Sequence, residues 1–248
     1  MIETRRGEWR LLCAPEHRER ADALVGLIPP SSDFAAPLRD DYRSYVGVVQ
    51  AKGTSIVLKS PRLKNQSRWI RWTTLFRRGE AFDTIAKLWI ARKGGAPVAD
   101  PVFAMEKRAA GQIVDSWMAY FYIDGRRCES PEYPALIRSL ESLHAAGWVH
   151  GDPHFDNFLW DGTQVRILDC RPRRPSFGSI SRAYDFVLLR NSRPELGGLL
   201  GDQPRTAAFR CAVAYDRWIH GWRAWKKKIR AAIGKPRNSA HVEPLRRD

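Results

Sequence analysis

The sequence predicts an α+β fold with strands gathered in its front half and helices in its back half. Three observations carry this. β-Branched and aromatic runs occupy residues 45–49, 55–58, 102–109 and 114–123, each bounded by turn residues. Apolar residues recur at helical spacing around 82–89 and 136–143, and from Ser179 on the pattern is mainly helical. The 248-residue chain is 44% hydrophobic and 28% charged, an ordinary globular composition that excludes disordered, collagen-like and disulfide-scaffold classes.

Within residues 1–40, the stretch IPPSSDFAAPLRD is rich in Pro, Ser and Asp and reads as part of an irregular extension. Tyr45–Val49 and Ser55–Leu58 flank Ala51-Lys52-Gly53-Thr54, a hairpin signal, and Lys59 closes the second strand. Phe82, Ile85, Ala86 and Trp89 follow the i, i+3, i+4, i+7 rule of an amphipathic helix, which Gly94-Gly95 stop. Two further strands, VFAMEKRA and VDSWMAYFYI, end at Asp124-Gly125. Leu136, Leu140 and Leu143 share one face of the next helix, closed by Gly147. Asp161-Gly162 between FLW and QVRIL is a strong hairpin signal. The expected organisation is an N-terminal extension over 1–40, a strand-rich N-lobe over 41–125, and a helical C-lobe over 126–248 ending in a basic, Trp-rich helix.

The segment His150-Gly151-Asp152-Pro153-His154-Phe155-Asp156-Asn157, followed by Ile167-Leu168-Asp169, concentrates the chemistry. Asp152 and Asn157 stand at the separation of a kinase catalytic loop, H-R-D-x-x-x-x-N, with Gly in place of Arg. A carboxylate on a tight loop (Asp152) can orient an attacking hydroxyl and take its proton. A neutral carbonyl oxygen five residues on (Asn157) can hold Mg²⁺ without adding charge, and Asp169 completes the oxygen set. Lys59 at a strand end matches the lysine that reaches ATP phosphates, and Glu80 at the start of the next helix is its expected ion-pair partner. These five residues stand in the chain order of a protein-kinase-like bilobal fold. Two parts are missing: no G-x-G-x-x-G precedes Lys59, which leaves the Ala51–Ser55 turn to cover the phosphates, and Cys170-Arg171 follow Asp169 where D-F-G would stand.

Val57-Leu58-Lys59-Ser60-Pro61-Arg62, Lys64, Trp69, Arg77-Arg78-Gly79-Glu80-Ala81-Phe82, HGDPHFDNF and ILDCRPRR together resemble the lipopolysaccharide core heptose(II) kinase family over about residues 45–190. The resemblance implies ATP- and Mg²⁺-dependent phosphorylation of a heptose hydroxyl in the lipopolysaccharide inner core. Related families act on Kdo or other heptoses with the same loop. Asp185, in RAYDFVLLRN, sits where kinase-like folds use a buried helix Asp to brace the catalytic loop.

Other readings are weaker. His150, Asp152 and His154 echo a metallophosphatase, which needs further His and Asp clusters; the chain has six histidines. His150 is expected to hold the loop by packing, and Asp156 to fix it. A kinase for another acceptor (Kdo, a small molecule or a protein) or a catalytically silent kinase-fold binding module are the alternatives. The Arg171–Arg174 run favours an anionic acceptor over a cationic one.

The chain carries 42 Lys and Arg against 27 Asp and Glu, a formal net charge of +15, which suits anionic partners. No recognition motif supports nucleic acid. In Trp218–Arg230, the residues Trp218, Trp222, Trp225 and Ile229 fall on one helix face with Arg223, Lys226, Lys227 and Arg230 largely elsewhere. That pattern suits a helix lying on an anionic membrane, or equally a Trp face packed on the C-lobe, and Gly221 interrupts it. Cys13, Cys128, Cys170 and Cys211 form no C-x-x-C pair, which argues against a zinc cluster and fits a reducing compartment. The charged N-terminal stretch lacks a signal-peptide core, and no window is apolar enough to span a membrane. The expected location is the cytoplasm, at the inner-membrane face where a lipid-anchored acceptor is met.

Overall fold

The computed structural model describes residues 1–28, 35–51 and 53–232. A seven-stranded antiparallel sheet forms the front lobe: β1 (Ile2–Arg6), β2 (Trp9–Cys13), β3 (Ala35–Asp40), β4 (Tyr45–Ala51), β5 (Thr54–Ser60), β6 (Pro101–Ala109) and β7 (Gln112–Phe121). Their spatial order is β1-β2-β6-β7-β5-β4-β3. The expected N-terminal extension over 1–40 therefore needs correction, because β1, β2 and β3 belong to this sheet; of the stretch read as irregular, residues 29–34 lie outside the described residues. Its edge strand β1, IETRR, has no apolar alternation to read; backbone pairing with β2 and ion pairs of Glu3 with Arg10 and of Arg6 with Asp22 hold it.

Alternation of period two assigns the sheet's faces. Leu12, Ala104 and Met118 point to one side and pack with Ala81, Phe82 and Ile85 of α4 (Glu80–Lys93). Leu11, Cys13, Phe103, Met105, Trp117 and Ala119 point to the other, against Ala21 and Leu24 of α1 (Arg18–Val25). The stretch ahead of α4 is not continuous with it: α2 (Arg62–Gln66) and α3 (Arg68–Thr73) come first, and Ser67 caps α3 by accepting the Ile70 N–H.

The back lobe holds α5 (Tyr133–Ala145), α6 (Ser179–Ser192), α7 (Ala207–Ala232) and a three-stranded sheet, β8 (Arg126–Arg127), β9 (Phe158–Trp160) and β10 (Val165–Ile167). Leu136, Leu140 and Leu143 of α5 are fully buried in its core, with Phe158 and Ile167 from the hairpin and Phe186 from α6. Leu88 and Ala91 near the end of α4 join that same core, so one helix is packed into both lobes.

The β9–β10 hairpin turns at Asp161. Its Oδ1 accepts the Thr163 and Gln164 N–H groups, and its Oδ2 accepts from Arg166. Burial favours the neutral acid, yet these donors outweigh it and hold the carboxyl far below the usual aspartate range. The Trp face of α7 does not pack on the lobe. Trp218, Trp222 and Trp225 are 63%, 43% and 51% exposed and lie stacked along the helix.

Candidate active site

Hairpin register assembles the central pair. Val165 pairs with Trp160 and Ile167 with Phe158, and the Leu168 N–H then donates to the Asn157 carbonyl at 2.7 Å. Asn157, just before β9, is thereby set beside Asp169, just after β10. Asn157 donates its side-chain amide N–H to the Asp152 carbonyl at 3.2 Å, which leaves Oδ1 as its free acceptor. Asp169 adopts φ of 45°, a conformation non-glycine residues rarely take and one that concentrates at functional sites.

The loop carrying Asp152 hangs from one buried carboxylate. Asp185 on α6 is 1% exposed; its Oδ2 accepts the His150 N–H at 2.7 Å, and its Oδ1 accepts the Gly151 N–H at 2.9 Å. His144 Nε2 on α5 lies 2.9 Å from the same Oδ2. The bracing role expected of Asp185 is what the geometry gives. His150 is buried, and burial pushes its pKa down despite the opposing pull of Asp185, Asp169 and Asp152. Neutral, it accepts the Asp152 N–H on Nδ1. It therefore packs and holds the loop, as expected.

Gly151, which replaces the arginine of the kinase loop, meets a backbone requirement and leaves room for a flexible side chain. Its φ is +85°, and a Cβ there would lie 2.1 Å from the Arg173 guanidinium. Arg173 uses that space to donate to the Gly151 carbonyl at 3.3 Å, while its backbone pairs with Val149. Asp156 pairs with Arg127 at 3.4 Å, in keeping with a loop-fixing role.

Two cavities meet at Asn157 and Asp169. One, about 390 Å³, lies between the lobes; Val46 and Val57 of the front sheet, Leu159 and Ile167 of the hairpin, Lys59 and the Tyr122–Gly125 connection line it. The other, about 490 Å³, is polar and holds Asp152 together with Glu80, Asp83, Lys87, Arg171 and Arg173. Asn157 and Asp169 line both. Asp152 lines only the second.

The expected Lys59–Glu80 pair is corrected. Lys59 Nζ contacts Asp169 Oδ1 at 2.5 Å. Glu80 is held instead by Lys64 of α2 at 2.6 Å and by Arg171 at 2.6 Å. The reason is local: Pro61 turns the chain into α2 directly after β5, which brings Lys64 to the start of α4, and Arg171 reaches it from beyond Asp169. Glu80 consequently lines the polar cavity and leaves the cleft between the lobes to Lys59. Asp83 and Lys87 of α4 were not singled out from the sequence, although their four-residue spacing on the side away from Phe82 and Ile85 marks a polar face; they pair at 2.6 Å. The turn proposed to cover phosphates includes Lys52, outside the described residues.

Among the described residues, no cluster of three or more His, Cys, Asp or Glu side chains is placed to hold a metal ion. No described helix is long and apolar enough to cross a membrane.

Comparison with known proteins adds three findings. The family model described as "Lipopolysaccharide core biosynthesis protein (WaaY)" matches residues 38–190. The lipopolysaccharide core heptose(II) kinase WaaY of Escherichia coli (strain K12) is 27% identical over 131 residues, covering 49% of this chain and 55% of that protein. The chain thus spans about half the length of this curated relative. Among solved structures, WaaP in complex with acyl carrier protein is similar at a TM-score of 0.50 and 17% identity, covering 88% of this chain and 97% of the other, a likeness of fold.

Proposed function

Because the chain belongs to the lipopolysaccharide core biosynthesis protein (WaaY) family, we propose that it is an ATP-dependent kinase that phosphorylates a sugar hydroxyl, most simply a heptose, of the lipopolysaccharide inner core. The observation that carries this reading is the meeting of two unlike cavities at Asn157 and Asp169, with Asp152 confined to the polar one. A nucleotide needs an apolar slot for its base, which Val46, Val57, Leu159 and Ile167 supply. It also needs a cation for its phosphates, and Lys59 lies on the same sheet face as Val57. An acceptor sugar needs a polar cavity with a base in it. Asp152 is that base: it receives the proton of the attacking hydroxyl as the oxygen closes on phosphorus.

The donor set fits Mg²⁺. Asn157 Oδ1 is free for a cation, Asp169 is 53% exposed on its side chain, and both face the space shared by the two cavities. Two protein oxygens beside a phosphate-bearing ligand are typical of this ion, which keeps water and phosphate in its remaining positions. When bound, Mg²⁺ offsets phosphate charge. Asn157 and Asp169 would hold it, and Lys59 would then exchange its contact with Asp169 for one with phosphate.

The acceptor is lipid-anchored, and α7 suits contact with an anionic membrane at the cytoplasmic face. Its Trp ladder is exposed, and Lys226 lies 4.9 Å over Trp222. The Arg230 side chain lies outside the described residues.

The test is Asp152→Ala with ATP and isolated core oligosaccharide as acceptor. Phosphate transfer should fall by about 10²–10⁴-fold, with nucleotide binding and melting temperature retained. Near-native turnover by this variant would falsify the assignment. Mass spectrometry of core oligosaccharide from cells with and without the gene checks the acceptor: unchanged phosphate content would rule out a core sugar.

A further inference from the structure

The front lobe carries a second aromatic and cationic surface, separate from α7. From Pro61 through Gly79 the chain has Arg62, Lys64, Arg68, Arg71, Arg77 and Arg78 and no acidic residue. Trp69, Trp72 and Phe76 are 71%, 50% and 80% exposed. They contact one another in succession, Trp69 stacking on Trp72 at 5.5 Å and Trp72 meeting Phe76 edge-on at 5.8 Å. Leu63 and Leu75 in the same segment are exposed as well.

This surface is built rather than loose. Thr74 accepts the Ile113 N–H on its hydroxyl and an Arg108 N–H on its carbonyl, and Asn65 bonds Asp115 and Ser116, so α2 and α3 are fastened to β6 and β7. Three large aromatic side chains are therefore held in solvent by a rigid support. An exposed apolar cluster of this kind marks an interaction surface.

Charge identifies the partner. Asp40, Glu80 and Glu3 neutralise Arg62, Lys64 and Arg78. Arg68, Arg71 and Arg77 have no carboxylate partner among the described residues, and Arg68 and Arg77 are exposed beside the aromatic rings in sequence. Aromatic side chains flanked by uncompensated arginines suit the boundary of an anionic bilayer, where rings enter the headgroup layer and guanidinium groups meet lipid phosphates. Lys64 also ties the segment to Glu80 on the wall of the polar cavity, so the surface adjoins the acceptor side of the molecule.

We propose that α2, α3 and the turn through Phe76 form a membrane-seating surface for anionic lipid, with Trp69, Trp72 and Phe76 inserted and Arg68 and Arg77 on lipid phosphates. This goes beyond the phosphotransfer reading, and only the placement of the surface on the acceptor side rests on it.

Vesicle co-sedimentation of the full chain tests it, without nucleotide, so that its failure leaves the kinase reading untouched. Vesicles of equal parts phosphatidylglycerol and phosphatidylcholine are compared with pure phosphatidylcholine. The native chain should sediment with the anionic vesicles and far less with the neutral ones. Trp69→Ala/Trp72→Ala/Phe76→Ala should lose about tenfold or more in affinity with α7 intact. Arg68→Gln/Arg77→Gln, which leaves the rings in place, should bind more weakly and with a shallower salt dependence. Native affinity in both variants, or no sedimentation of the native chain with anionic vesicles, overturns the proposal. So does a native dimer that the aromatic variant dissolves while vesicle binding stays unchanged, since the surface would then belong to a second copy of the chain.

Discussion

Replacing Asp185 with Asn tests the link between fold and site most directly. The native carboxylate serves three donors: the His150 and Gly151 backbone N–H groups and His144 Nε2. Asparagine offers one oxygen and an NH₂ group in the same outline. If its oxygen takes the Oδ2 position, the His150 and His144 contacts survive and the NH₂ confronts the Gly151 N–H. If it takes the Oδ1 position, the NH₂ confronts the His150 N–H. His144 can adapt by exchanging its tautomer; a backbone N–H cannot. Either way one charge-assisted bond is lost and one buried donor is left facing a donor. A bond to a charged group contributes about 1.5–3 kcal/mol, and an unsatisfied buried donor costs about 1–3 kcal/mol, so a loss of about 3 kcal/mol is expected. For a chain of this size that corresponds to about 6–12 °C in melting temperature. Thermal and urea unfolding at pH 7.5 measure it, and turnover should fall too because Asp152 is the next residue along the loop. A variant melting within about 2 °C of native would refute the argument that this carboxylate suspends the loop.

The remaining predictions concern charge. Lys59→Met should weaken nucleotide binding by about 10–100-fold, the value of a lost charge-assisted bond, whereas Glu80→Gln should leave nucleotide affinity near native and raise the acceptor KM. Calorimetric titration with nucleotide separates them; equal losses would restore the Lys59–Glu80 pairing. His150 gives a pH dependence. Its native pKa lies below the ordinary histidine value because burial dominates. The unfolded chain therefore takes up a proton near pH 6.5 that the native chain refuses, and stability falls as pH drops below about 6.5. Urea midpoints for native and His150→Asn at pH 7.5, 6.5 and 5.5 should diverge, with the variant losing less on acidification; parallel curves would assign the slope elsewhere.

The parts of the molecule legible in the sequence are those set by local rules. The Asp152-to-Asn157 spacing lies within one loop, Asp161-Gly162 dictates its own turn, and the Leu136, Leu140 and Leu143 stripe has a period that any core helix shows. What escaped depends on long-range placement. β1 has charged residues at most of its positions and is held by its pairing with β2, so its pattern could not announce it. Glu80 is an acid at a helix start whatever cation reaches it, and only the folded chain shows Lys64 and Arg171 arriving there. The stripe of Trp218, Trp222 and Trp225 has one spacing whether it is buried or bare; exposure is a property of what lies opposite.

The hairpin that joins Asn157 to Asp169 bears on how the site can vary in length. Their separation of twelve positions in the sequence is the arithmetic of two short arms and a tip. Residues added at the tip near Gly162, which has open space around it, leave the paired arms alone. One residue added within an arm turns every side chain beyond it to the opposite face. Asn157 and Asp169 are thus fixed to each other by the parity of the arms, while the count between them is free to change at the turn.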